Sequence, residues 1–111
     1  MAGLSRGGSQ TFHVAFRHPD LFSALGAFSI GLPAAFPDAY PLVADTAKLN
    51  SLIPVIYYSV GKDDSDQRAP YETGTRLLNQ AGVRYQAGSE FGGHIWQVWR
   101  NSLVEFLTRL R

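Results

Sequence analysis

The sequence contains no cysteine, and its charged residues are few and evenly mixed in sign. The absence of cysteine excludes disulfides, thiolate metal ligands and a cysteine nucleophile. Only 17% of the 111 residues are charged, and ten basic against nine acidic residues give a net charge of +1. Nucleic acids and membrane surfaces usually bind a concentrated basic face, so the sequence predicts neither partner.

Long hydrophobic runs are also missing. The longest apolar region, residues 21–36, is interrupted by glycine, serine and proline and is too short to cross a bilayer as a helix. The first residues lack a basic stretch followed by a long apolar one, so we expect no secretory signal and no membrane span in this chain. The length predicts one domain, residues 1–111, with enough chain to bury a core.

Helical and extended patterns alternate along the chain, which is typical of a parallel sheet covered by helices. The segments with strand patterns are 24–30, 55–60 and 83–87. Apolar residues at helical spacing predict helices over 9–17, 45–52, 67–81 and from Trp96 towards the carboxyl end, with Ser9 as the cap of the first helix. The fold class that follows is α/β.

A glycine-flanked serine lies at the start of the chain. Residues 3–7 read Gly-Leu-Ser-Arg-Gly, which fits the G-x-S-x-G turn that presents a nucleophilic serine between a strand and a helix. Small residues are needed there because a bulky side chain on either flank would clash with the neighbouring backbone. The alternative is a glycine-rich tail with no catalytic role, because such five-residue matches also arise by chance.

An acid and a histidine follow later strands, in the order that α/β-hydrolases use. Asp63 and Asp64 come directly after the strongest strand, and His94 follows the last strand in a glycine-rich turn. The carboxyl ends of parallel strands meet at one edge of a sheet, so we expect these side chains to converge with Ser5. Asp63, Asp66 and Glu90 remain alternatives to Asp64 as the acid. For each of these carboxylates, the non-catalytic interpretation is a solvated charge on a loop.

Several motifs together carry a family resemblance. They are Gly-Leu-Ser-Arg-Gly-Gly at 3–8, Pro-Asp-Leu-Phe-Ser at 19–23, Phe-Ser at 28–29, Gly-Lys-Asp-Asp at 61–64 and Gly-Gly-His-Ile-Trp-Gln-Val-Trp-Arg at 92–100. These segments resemble the esterases related to esterase D, and especially the family-one carbohydrate esterases, which include feruloyl and acetylxylan esterases. The resemblance covers essentially the whole chain and implies an α/β-hydrolase fold, a three-layer sandwich with a mostly parallel sheet.

The resemblance also implies roles for individual residues. Ser5 would be the nucleophile, His94 the general base and then acid, and Asp64, at the fourth position of its G-x-x-D stretch, the triad acid. The backbone N–H of Arg6 would be one oxyanion-hole donor, although the family commonly has an uncharged residue there. The implied reaction is ester hydrolysis without cofactor or metal, on feruloyl or acetyl esters of plant polysaccharide. Related esterases are often secreted.

The resemblance is to the carboxyl-terminal half of these enzymes. The family has further strands and helices before the G-x-S-x-G turn. This amino-terminal part also contains the loop that donates the second oxyanion N–H. We therefore expect a truncated sheet that lacks the amino-terminal strands, and association either with a second copy of the chain or with a complementing amino-terminal half. The alternatives are a weak or inactive hydrolase fragment, or an acyltransferase or serine peptidase of the same fold.

Substrate contacts are expected from two regions. The loop 31–40 resembles the segment that lines the acyl or leaving-group pocket in such hydrolases, which nominates Leu32, Phe36 and Tyr40. Trp96 is nominated as a stacking residue, although the helical spacing of Trp96 and Trp99 with Leu103 and Phe106 favours a core position. The remaining histidines show no metal-ligand spacing, so no metal site is predicted.

Overall fold

Within the described residues, the sheet contains four strands and is fully parallel. The structure is a computed structural model that describes residues 1–33, 36 and 45–110. The strands pair in sequence order, and the pairing is parallel at each step. They are β1 (Ala2–Leu4), β2 (Ala24–Phe28), β3 (Val55–Ser59) and β4 (Gln86–Ala87). The predicted α/β class is confirmed.

Helices connect and cover the strands. In the described ranges they are α1 (Arg6–Arg17), a 3₁₀ turn (Pro19–Leu21), α2 (Thr46–Leu52), α3 (Arg68–Ala81) and α4 (Trp96–Thr108). The Asp45 side chain caps α2 by accepting the Lys48 N–H. Gly82 ends α3 in the left-handed conformation at φ 80°, which glycine adopts without steric cost. Within the residues described, no helix has the length and apolar character needed to span a membrane.

The core lies on both faces of the sheet. Successive strand residues point to opposite faces, so Tyr58 packs against the α1 side and Tyr57 against the α4 side. The larger cluster joins side chains of α1, α2 and α3 to β2 and β3, and includes Phe12, Phe16, Leu25, Leu49, Ile56 and Leu78. The smaller cluster places Phe106 of α4 against Phe28 and Tyr57. The result is a three-layer arrangement of helices, sheet and helix.

The two largest differences from the predicted boundaries are at α1 and β4, and the strand predicted over 24–30 ends at Phe28. Helix α1 begins at Arg6, so Ser9 lies inside the helix and does not cap it, and its N–H bonds back to the Ser5 carbonyl. Strand β4 covers only Gln86–Ala87 of the predicted 83–87. The N–H of Val83 bonds to Leu78 at the end of α3, and the N–H of Arg84 bonds to the Asn50 side chain. These two N–H groups therefore do not form hydrogen bonds between β4 and β3.

Apolar side chains are exposed next to the first strand. In the described ranges no strand pairs with the outer edge of β1. Trp96, Leu103 and Leu107 are exposed along α4 at a spacing that puts them on one helix face. An unpaired edge beside an apolar surface favours contact with another polypeptide segment. The expected association stays a prediction.

A buried phenol and a carboxylate fasten α4 to the sheet. The Tyr57 hydroxyl donates to Glu105 Oε2 at 2.5 Å, and the Ser89 N–H donates to the same oxygen at 3.0 Å. Burial alone would raise the pKa of Glu105. The hydrogen bonds from Tyr57, Ser89 and Asn101, with the nearby charge of Arg109, outweigh burial and lower this pKa below its usual 4.5.

The lowered pKa of Glu105 makes a pH-dependent contribution to stability. The carboxylate stabilises the folded chain above the unfolded pKa, near 4.5, and this stabilisation is lost as pH falls through the folded pKa. We therefore expect Glu105→Gln to destabilise the protein at neutral pH and to approach wild-type stability in acid. Urea unfolding between pH 7 and pH 3 measures the difference. A destabilisation that does not change with pH would contradict the assignment.

Candidate active site

Ser5 occupies a strained turn between β1 and α1. Its backbone has φ 51° and ψ −122°, a conformation that residues other than glycine rarely adopt. The turn is held by the Ser5 N–H, which donates to Phe28 at 2.8 Å, and by the Ser5 carbonyl, which accepts from Gly8 and Ser9. Strain at a serine between a strand and a helix is the geometry of a nucleophile elbow.

The glycines around Ser5 differ in how much space a side chain would have at each position. A Cβ on Gly3 would lie 2.2 Å from the Gly7 carbonyl oxygen, so the crossing of strand and helix needs glycine there. A Cβ on Gly8 would meet Ile30 at 2.8 Å. A Cβ on Gly7 would meet nothing within 4 Å. The expectation that both flanks of the serine are sterically restricted is therefore correct for Gly3 and wrong for Gly7, and the second tight contact is at Gly8.

Asp64 is a buried carboxylate after β3. Its side chain is 2% exposed, and such a charge is costly unless it is paired. Oδ1 accepts the Gln67 N–H at 3.3 Å, and Oδ2 lies 2.7 Å from Nδ1 of His94. The Asp64 carbonyl accepts from Gln67 and Arg68, which begins α3 directly behind the carboxylate. The local turn therefore points one oxygen at its own backbone and the other at the histidine.

His94 lies between Ser5 and Asp64. Its Nε2 is 3.1 Å from the Ser5 hydroxyl, while Nδ1 is next to Asp64. A neutral imidazole has one donor and one acceptor, so an Nδ1–H held by the carboxylate leaves Nε2 free to accept the serine proton. The structure thus brings together the three residues that the sequence nominated, in the order hydroxyl, imidazole and carboxylate.

The alternative acids lie elsewhere. Asp63 and Asp66 are exposed, and Asp63 contributes its backbone N–H, which donates to Gly92 at 3.0 Å. Glu90 pairs with Arg68 at 3.0 Å. Asp64 is the carboxylate that approaches His94, because residue 64 points inward where residue 63 faces solvent.

Contacts between two loops, which the sequence analysis missed, bring the acid and the histidine together. The Lys62 N–H donates to the Glu90 carbonyl, and a Cβ on Gly61 would lie 2.0 Å from the Gly92 carbonyl oxygen. Arg68 bridges the loops through Glu90 and also pairs with Glu72. The glycines at 61 and 92 are the signal in the sequence. Gly61 allows the close backbone approach, and Gly92 adopts φ 79°, which a residue with a Cβ rarely does.

Arg6 provides the first N–H of α1. The first N–H groups of a helix have no intrahelical acceptor, and the helix dipole favours negative charge near them. Arg6 is exposed. Its backbone N–H directly follows Ser5 in the chain, and its role as an oxyanion-hole donor stays a prediction.

The nominated substrate residues that the structure describes, Leu32, Phe36 and Trp96, do not line one groove. Leu32 and Phe36 line a groove of about 450 Å³ between the loop and α3, and none of Ser5, Asp64 and His94 is part of that lining. Phe36 is also a buried member of the core, packed on Phe16 at 6.0 Å. Tyr40 lies outside the described residues.

The two tryptophans have different environments. Trp96 is 63% exposed, so the interpretation of this residue as core is wrong. It borders a small apolar hollow of about 200 Å³ that is also lined by Leu4 and Trp99. The Trp99 indole is half-buried and donates to the Ser29 hydroxyl. Trp96 is exposed although it lies beside β1, because within the described residues no strand pairs with the outer edge of β1 and covers this hollow.

The residue types of the site suit proton transfer. Hydroxyl, imidazole and carboxylate in sequence can move a proton without a further group. Over residues 1–33, 36 and 45–110, no three histidine or acidic side chains come close enough to hold a metal ion.

Comparison with known proteins assigns the family. A family model described as "Putative esterase" matches residues 1–110. The chain belongs to this esterase family. A solved structure named ferulic acid esterase superposes with a TM-score of 0.75 at 24% sequence identity, over 99% of this chain and 50% of that one. This esterase family member therefore has the α/β-hydrolase fold, and the chain spans half the length of that structure.

The elbow geometry predicts opposite effects for two neighbouring glycines. Gly3→Ala forces a Cβ into the Gly7 carbonyl and should lower the free energy of unfolding by about 2 kcal/mol or more. Gly7→Ala has open space in a helix and should be neutral or stabilise by up to roughly 1 kcal/mol. Urea unfolding of the two variants provides the matched comparison. Equal losses at both positions would contradict the described crossing of β1 and α1.

Proposed function

We propose that this chain carries the catalytic residues of a serine carboxylesterase. The observation that carries the proposal is the continuous relay from the Ser5 hydroxyl through His94 to the buried Asp64, with contacts of 3.1 and 2.7 Å. Membership of an esterase family supports ester hydrolysis as the reaction. Because the chain spans half of its structural neighbour, the activity is proposed for the α/β-hydrolase domain to which residues 1–111 contribute.

The first half of the proposed reaction forms an acyl-enzyme. Ser5 Oγ attacks the ester carbonyl carbon while Nε2 of His94 takes the hydroxyl proton. Asp64 holds the Nδ1–H and stabilises the imidazolium that forms. The carbonyl oxygen becomes an oxyanion, which the Arg6 N–H and the amino end of α1 stabilise. The bond to the alcohol oxygen then breaks, and His94 returns its proton to the leaving alcohol.

The second half releases the acid. Water attacks the acyl carbon and gives a proton to Nε2 of His94, and the bond to Ser5 Oγ breaks as that proton passes to the serine. The products are a carboxylic acid and an alcohol, and the protein returns to its starting state. The proposed cycle uses no cofactor.

The proposed substrates are feruloyl or acetyl esters of plant polysaccharide. The name of the structural neighbour, ferulic acid esterase, supports the feruloyl ester, and the motif resemblance supports both esters. Trp96 offers an exposed aromatic surface on α4, which is suited to stacking on a planar acyl group or a sugar ring. Activity on methyl ferulate against a short-chain aryl acetate distinguishes the two acyl classes.

Removal of the nucleophile tests the serine mechanism. With a chromogenic short-chain ester, Ser5→Ala should lower kcat by on the order of 10⁴-fold or more, because no other hydroxyl lies in the relay. A fluorophosphonate probe should label the wild-type chain at Ser5 and leave Ser5→Ala unlabelled. Equal hydrolysis by both proteins, together with no labelling, would favour an inactive hydrolase remnant.

Two neighbouring aspartates provide a matched test of the acid. Asp64→Asn removes the charge next to Nδ1 and should lower kcat by roughly 10²–10⁴-fold, because the imidazole loses its orienting carboxylate. Asp63→Asn changes an exposed side chain one residue away and should keep kcat within about twofold of wild type. Steady-state kinetics on the same ester measure both. A larger loss in Asp63→Asn than in Asp64→Asn would overturn the assignment.

A further inference from the structure

Ser29 is a second strained residue next to the candidate site. Within the described residues, Ser5 and Ser29 are the non-glycine residues with positive φ, at 51° and 59°. Ser29 directly follows β2, as Ser5 follows β1, and its N–H donates to the Ser59 carbonyl at 2.8 Å. The residue is 1% exposed. Such strain persists only where surrounding contacts hold it and often marks a functional position.

The hydroxyl of Ser29 holds an indole ring. Trp99 Nε1–H donates to Ser29 Oγ at 2.9 Å, which joins α4 to the end of β2. The indole also packs on the cluster formed by Phe28, Tyr57 and Phe106. The hydrogen bond therefore fixes both the rotation and the depth of the ring against the sheet.

The same indole contacts the imidazole of His94. The two ring centroids are 5.0 Å apart and the ring planes are at 87°, the edge-to-face arrangement that aromatic rings favour. His94 needs such support, because its side chain is 38% exposed and it follows Gly92 and Gly93. Glycine backbones are conformationally permissive, and Gly92 itself has φ 79°. The hydrogen bonds at the two ring nitrogens alone would leave the imidazole free to tilt.

We propose that Trp99 is a positioning residue for His94 and that Ser29 fixes Trp99 in the orientation this requires. The inference rests on the proposed function, since it concerns the residue that moves the proton there. The strained backbone of Ser29 places its hydroxyl under the indole, and the indole limits the tilt of the imidazole between Asp64 and Ser5. Neither Ser29 nor Trp99 touches the substrate carbonyl in this role.

A matched variant separates positioning from general stability. Ser29→Ala removes the acceptor of the indole N–H. Ser102→Ala removes another hydrogen bond between α4 and the sheet, from Ser59 Oγ at 3.1 Å, at a buried serine three residues further along α4 than Trp99. We expect Ser29→Ala to lower kcat by about ten- to a hundredfold with KM nearly unchanged, because small misplacement of a catalytic group is costly. Ser102→Ala should keep wild-type kcat.

Trp99→Phe provides an independent variant if Ser29→Ala folds poorly. Phenylalanine keeps an aromatic ring and loses the N–H, so we expect a similar fall in kcat. The double variant should lose little more than either single one, because both remove the same interaction. Thermal unfolding of each protein shows whether the fold is retained.

A spectroscopic readout tests the position of the imidazole without turnover. In a Ser5→Ala background, the low-field NMR signal of the His94 Nδ1 proton should broaden or disappear on Ser29→Ala and remain on Ser102→Ala. Wild-type kcat in both Ser29→Ala and Trp99→Phe, or equal losses in Ser29→Ala and Ser102→Ala, would overturn the positioning role. Wild-type hydrolysis that does not respond to Ser5→Ala would instead overturn the proposed esterase mechanism.

Discussion

The parallel register of the four strands is the constraint on which the candidate site depends. It brings the carboxyl ends of the strands to one edge of the sheet, and each strand is followed there by a residue of the site. Ser5 follows β1, Ser29 follows β2, Asp64 follows β3, and His94 follows β4. Hydrogen bonds join the ends of neighbouring strands, because the Ser5 N–H donates to the Phe28 carbonyl and the Ser29 N–H donates to the Ser59 carbonyl. A change in register at any strand would therefore displace part of the relay.

Helix α4 reaches this sheet through a line of polar contacts inside an otherwise apolar interface. Trp99, Ser102 and Glu105 are spaced three residues apart, so they lie on neighbouring turns and face the same way. They bond to Ser29, Ser59 and Tyr57 respectively. Buried polar groups stabilise a fold when each has its partner, and they allow few alternative alignments. Among these contacts, the bond from Trp99 to Ser29 is the one that places the indole next to the imidazole of His94.

The acid and histidine loops form a second unit around the relay. Backbone hydrogen bonds link residues 62 and 63 to residues 90 and 92, and Arg68 bridges to Glu90. Exposed ion pairs of this kind contribute little alone, but here the backbone contacts already hold the two loops together. The buried Asp64 and the more exposed His94 meet because these loops cannot separate without breaking several bonds at once.

Sequence patterns were sufficient for the fold class, for β3 and α3, and for the nomination of Ser5 and His94. Periodicity and glycine-flanked turns are local signals, and they can be recognised in a short segment without information about the rest of the chain. The choice between Asp63 and Asp64 had only a family resemblance to support it, because both follow the same strand and differ in which way they face. The short β4 also depended on a distant partner, the Asn50 side chain that takes the Arg84 N–H. The start of α1 at Arg6 depended on the turn at Ser5, which the bond from its N–H to Phe28 of β2 holds. The contact of Trp99 with Ser29 and His94 was decided by the tertiary structure alone, since it joins residues 29, 94 and 99 through packing that no local pattern records.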